Sequence, residues 1–157
     1  MDSTVLKRPI GASLCLAIGL LLAFGSAKAQ FDKIPTPVER EATKVDAENE
    51  FEYRIHAARH IYARYPMRVH RGKLAPLLHG VAIIDTEIDK DGQVVKVNIV
   101  RQPAAKEVAA WAAELIRRAA PFPAPVAIPD GKVVYREIWL VNAAGNFQLD
   151  TLTEGQN

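Results

Sequence analysis

Four histidines lie between residues 56 and 79: His56, His60, His70 and His79. His56 and His60 stand at i and i+4, so both rings can reach one cation from a single helix face. Their spacing is H-A-A-R-H, which lacks the glutamate a metalloprotease helix uses as base, and Arg54, Arg59 and Arg64 oppose a divalent cation there. The pair reads first as solvated helix residues, with a metal-binding role as the alternative. Glu87, Asp89, Asp91 and Gly92 match positions 1, 3, 5 and 6 of a calcium loop, but position 12 is then Asn98, which has no bidentate carboxylate to give. Asp85 and Glu87 share one strand face, as a pair of catalytic carboxylates would, yet no apolar pocket is evident to raise one pKa. Every serine (Ser3, Ser13, Ser26) and the single cysteine, Cys15, precede residue 30. No glycine-rich phosphate loop is present. This inventory points away from an enzyme and calls for no cofactor.

The first 30 residues read as a secretory signal. Lys7 and Arg8 precede an apolar run from Ile10 to Phe24, and Ala27-Lys28-Ala29 supplies the small residues for cleavage before Gln30. The alternative is a retained inner-membrane anchor, since Ile10 to Ala27 is at the short limit for a span. Removing Lys7, Arg8, Lys28 and Asp2 with the leader leaves 17 basic and 17 acidic residues of the original 20 and 18. That balance disfavours a nucleic-acid binder, which needs a net positive surface. The expected location is the periplasm.

Residues 31–45 hold Pro35 and Pro37 and no sustained period, which predicts an arm or linker reaching at most about 50 Å when extended. Residues 46–157 are expected to form one domain. Asp46 is the expected N-cap of a helix whose apolar stripe is Phe51, Ile55, Ala58, Tyr62 and Tyr65, ended by Pro66. Ala82, Ile84, Thr86 and Ile88 alternate with polar or outward residues, and Val95, Val97 and Ile99 do so after an Asp91-Gly92 turn, predicting a hairpin. A second helix over 104–120 buries Val108, Trp111, Ala112, Leu115 and Ala119, and Pro121-Phe122-Pro123 ends it. Strand 132–142 is apolar on both faces except at Arg136 and Glu137, which predicts either a buried central strand or an element that takes on a partner. Phe147 to Leu152 is placed to pair beside it. The fold class is α+β: two helices packed on one face of a three- to four-stranded antiparallel sheet.

Tyr65-Pro66, Gly80 at the first strand, the D-x-D-G turn of Asp89, Asp91 and Gly92, the V-x-x-V-x-I of Val94 to Ile99, Arg117-Arg118 and Pro121-Phe122-Pro123 occur in an order that resembles the TonB C-terminal domain family over about residues 62–142. The resemblance implies a periplasmic domain associated with outer-membrane transport. Its partner would be a protein or peptide, such as the TonB box of a transporter, added as a strand along Tyr135, Arg136, Glu137, Ile138, Trp139, Leu140 and Val141, with Tyr65 and Pro66 nearby. A TolA-like envelope scaffold is the alternative within the same class. Exchange of the final hairpin between two copies would give a homodimer.

Overall fold

The computed structural model describes residues 28–41 and 43–156. Ala27, expected at a cleavage site, and the expected leader before it lie outside the described residues, while Ala29 and Gln30 fall in a single helical turn, Lys28–Phe31. The main elements are α1 (Glu50–Arg64), β1 (Gly80–Ile88), β2 (Val94–Arg101), α2 (Lys106–Ala119), β3 (Val133–Val141) and β4 (Phe147–Leu149). The four strands form one antiparallel sheet in the order β2-β1-β3-β4, with both helices against the same face. A minor parallel pair joins Lys44–Val45 to Ala124–Pro125.

α1 begins three residues later than Asp46 predicts. Asn49 is the cap, its side-chain oxygen accepting the backbone N–H of Phe51 and of Glu52, each at 3.1 Å, and Glu50 and Glu52 favour the positive end of the helix dipole. The buried stripe also differs from the expected one. Tyr53, Ala57, Ala58, Ile61 and Arg64 face inward, whereas Phe51 is 71% exposed and Ile55 38%. Alanines at 57 and 58 let α1 lie close on β3, and this sets the phase.

The hairpin turn is built by Asp89, whose Oδ1 accepts Asp91 N–H at 2.9 Å and Gln93 N–H at 2.8 Å. Its carboxylate is thereby committed to the turn. Gly92 adopts φ +77°, and a Cβ there would collide with the Phe122 carbonyl oxygen; its absence lets Phe122 approach and donate its N–H to Gly92 O at 2.7 Å. In β2 the inward residues are Val94, Val97 and Ile99, and Val95 is 57% exposed. A register shift between Glu87 and Ile88 pairs Ile88 with Val94 and turns Val95 outward.

The core between sheet and helices is aromatic: Tyr53, Trp111, Phe122, Tyr135, Trp139 and Phe147 are all buried. Trp139 lies opposite Ala82 across the β1–β3 pair, a large residue matched to a small one. Phe147 packs at 4.8 Å from Trp139 and within 6.2 Å of Trp111. Residues 31–41 and 43–45 are laid onto this body. Phe31 is 5% exposed, stacked on His79 and edge-on to Trp111.

Candidate partner-binding edge

β3 is the strand on which recognition was expected, and its backbone geometry decides how much of it is open. Val141 O accepts His79 N–H on the β1 side, and Asn142 N–H donates to Asn146 O on the opposite side. In an antiparallel ladder a residue's N–H and C=O point the same way, and the direction alternates. The odd-numbered residues of β3 therefore bond to β1. Val134, Arg136, Ile138 and Leu140 direct their main chain to the other side.

On that side the strand is closed from its C-terminal end. Trp139, Leu140 and Val141 lie against Leu149, Gln148 and Phe147 of β4. β4 is in turn covered, since Phe147 N–H donates to Arg68 O and Phe147 O accepts His70 N–H. Leu149 N–H donates to the Tyr62 hydroxyl at 3.0 Å, and the buried Gln148 amide donates to the carbonyls of His70 and Gly72. A core residue at Phe147 makes this closure part of the fold.

Closure ends at Glu137. Its side chain, 1% exposed, lies on the helix-covered face. One carboxylate oxygen accepts Ile138 N–H at 3.1 Å and Thr151 N–H at 3.2 Å, and the other accepts the Thr151 hydroxyl at 2.6 Å. The edge-directed N–H of Ile138 is thus capped by the neighbouring side chain. Burial raises the Glu137 pKa, and the bonds from Thr151 and Ile138 hold it down in part.

From Val133 to Arg136 no strand faces β3 on this side among the described residues. The first turn of α1 overhangs the open stretch. Glu50, Phe51 and Arg54 from the helix, and Val134, Tyr135 and Arg136 from the strand, with Asp85 behind, line a groove of about 440 Å³. Phe51 and Val134, 71% and 52% exposed, supply its apolar surface. Arg136 forks onto Asp85 at 2.7 and 2.9 Å, which fixes the outer wall. β2 forms the other margin of the sheet, but it is irregular at two points of its pairing with β1 and bears Lys96 and Arg101, features that blunt an edge.

The expected site residues do not stand together. Val134, not anticipated, and Arg136 stand at the open edge. Ile138 and Leu140 are half-buried on the outer face, while Tyr135, Trp139 and Val141 point into the core. Tyr65 is buried with its hydroxyl donating to Leu115 O at 2.8 Å; burial pushes its pKa up to about 12. Pro66 is exposed after the helix end, away from the groove-lining residues. Phe51, Glu137 as a cap, and Thr151 were not legible as site residues.

His56 and His60 both line a different groove, against the N-terminal arm. His60 Nε2 lies 2.8 Å from Ala119 O and its ring packs on Phe122. Among the described residues, no group of three or more histidine, cysteine, aspartate or glutamate side chains is placed to hold a metal ion. No helix among them is long and apolar enough to cross a membrane. Family models, curated proteins and solved structures show no match to this chain.

Proposed function

We propose that this chain is a periplasmic protein-binding domain of the TonB C-terminal type, recognising an extended segment of a partner by strand addition at Val133–Arg136. The reading is supported by one observation above the rest: the main-chain groups of Val134 and Arg136 point to a side of β3 that no strand covers among the described residues, whereas Trp139–Val141 are paired with β4 and the Ile138 N–H is capped by Glu137. An added strand would gain main-chain hydrogen bonds there and would set a side chain between Phe51 and Val134. The open stretch is short, so the recognised segment is short too, and affinity depends on the groove wall as much as on the ladder.

The test is Val134→Pro. Proline removes an edge-directed N–H and leaves the bonds to β1 intact, because residue 134 does not donate to β1. Binding of a synthetic TonB-box peptide, followed by fluorescence anisotropy, is expected to weaken at least tenfold in Val134→Pro and less than twofold in Val134→Ala. Equal binding by the proline variant with an unchanged circular dichroism spectrum would remove this edge from consideration.

A further inference from the structure

The face of α1 that carries His56 and Arg59 borders a second concavity, independent of the β3 edge. The arm is pinned along it by Val38 N–H to Arg64 O at 2.7 Å and by Ala124 N–H to Thr43 O at 2.8 Å, and by the parallel pairing of Lys44–Val45 with Ala124–Pro125. Arm and helix enclose a groove of about 480 Å³, with His60, Ala63 and Pro123 among its lining. That volume lies in the range of small-molecule clefts, about 300–1,000 Å³.

The polar lining is one-sided. Arg40, Arg59, His56, His60 and Thr43 stand against the single carboxylate of Glu41. This is a local concentration, since the chain beyond residue 30 carries equal numbers of acids and bases. Two of its neighbours are already engaged: His60 with Ala119 O, and the Arg64 guanidinium with the carbonyls of Arg118 and Ala120. These contacts occupy the negative end of α2. The Arg40 and Arg59 guanidinium groups make no hydrogen bond or ion pair among the described residues. For Arg59 the cause is in the sequence. Its helical neighbours at three and four residues are His56, Tyr62, Ile55 and Ala63, so its own helix offers it no acid. Arg117, Arg118 and Arg136, by contrast, each have a carboxylate partner.

We propose that this groove binds a small oxyanion, phosphate or carboxylate, held by the forked guanidinium groups of Arg40 and Arg59 with the Thr43 hydroxyl and His56 as further donors. A planar fork with parallel N–H groups matches either anion in a bidentate manner. The groove is larger than a lone ion, so the anion is the charged end of a small molecule lying along Val45 and Ala63.

The experiment is a titration of the chain as recovered from the cell, followed by ¹H–¹⁵N spectra at constant ionic strength, with inorganic phosphate and separately with succinate. Saturable shifts are expected at Arg40, Thr43, His56 and Arg59, and the probe that saturates at the lower concentration names the chemistry. Arg40→Ala and Arg59→Ala alter exposed positions and are each expected to weaken binding at least tenfold. Arg117→Ala, outside the groove, is expected to change it less than twofold. The proposal is overturned if neither anion saturates, if shifts spread equally to Arg71, Lys73 and Arg101, or if Arg117→Ala weakens binding as much as Arg59→Ala.

Discussion

Replacing Glu137 by glutamine separates the two things this residue does. Its carboxylate accepts three hydrogen bonds while almost wholly buried. Bonds to a charged acceptor contribute about 1.5–3 kcal/mol each, against a desolvation cost of several kcal/mol for the ion. Glutamine keeps an oxygen for Ile138 and Thr151 N–H and offers an amide to the Thr151 hydroxyl. At pH 7, Glu137→Gln is therefore expected within about 1 kcal/mol of the native chain, or above it. Glu137→Ala strands both backbone donors, at about 1–3 kcal/mol each, for a loss of about 2–6 kcal/mol in all. The pH dependence has a fixed sign. Because the folded pKa is raised above an unfolded value of about 4.3, the stability linked to this group is complete below that value and is lost as pH rises through the folded pKa. Urea unfolding of the native and glutamine forms from pH 7 to pH 4 should show the native chain gaining on the variant as pH falls. Taking the difference cancels carboxylates elsewhere. A constant difference across that range, or a glutamine variant as unstable as the alanine one, would refute this account of Glu137.

His60 carries the opposite sign. Burial lowers its pKa, with the charges of Arg64 and Arg40 adding to the effect, so its contribution holds above about pH 6.5 and is lost as pH falls through the folded value; His60→Gln should gain on the native chain between pH 7 and pH 5, and parallel curves would count against it. Gly92→Ala should cost more than about 2 kcal/mol in urea unfolding, from the left-handed backbone and the blocked Phe122 carbonyl; a loss below about 0.5 kcal/mol would mean the turn relaxes freely. Phe147→Ala should cost about 3–5 kcal/mol and release β4, seen as lost amide protection at Leu149; protection unchanged from the native chain would contradict its role in closing the edge.

The elements easiest to read in the sequence are those whose pattern is local. β1 alternates inward and outward over its full length, and Val108, Trp111, Ala112, Leu115 and Ala119 of α2 are all buried as their spacing predicts. Glu114 pairs with Arg118 at 2.8 Å, one turn on. α1 was harder because two apolar stripes compete. Phe51 and Ile55 belong to one phase, while the phase that packs carries Tyr53 and Ile61 with the small Ala57 and Ala58 between them, and ends on the polar Arg64. Glu137 could not be read as a cap, since its partner Thr151 is 14 residues away across a turn. In β2, a one-residue irregularity in pairing exchanged Val95 for Val94, and nothing in the run of valines marks it. The open part of β3 depends on where β4 stops, and the sequence names the strand without naming that limit.

The burial of Phe31 has a consequence for reach. Fully extended, residues 31–45 would act as a tether of about 50 Å. Instead Phe31 sits beside Trp111, Val38 is bonded to α1, and Lys44–Val45 is woven into the minor sheet. The described residues of this segment lie along the surface of the folded body, which leaves little free length. If residues 1–27 are the leader the sequence suggests and stay in a membrane, the domain would ride close to that surface and meet only partners that come to it. Cut loose beside Gln30, it would instead travel by diffusion, with its range set by the compartment.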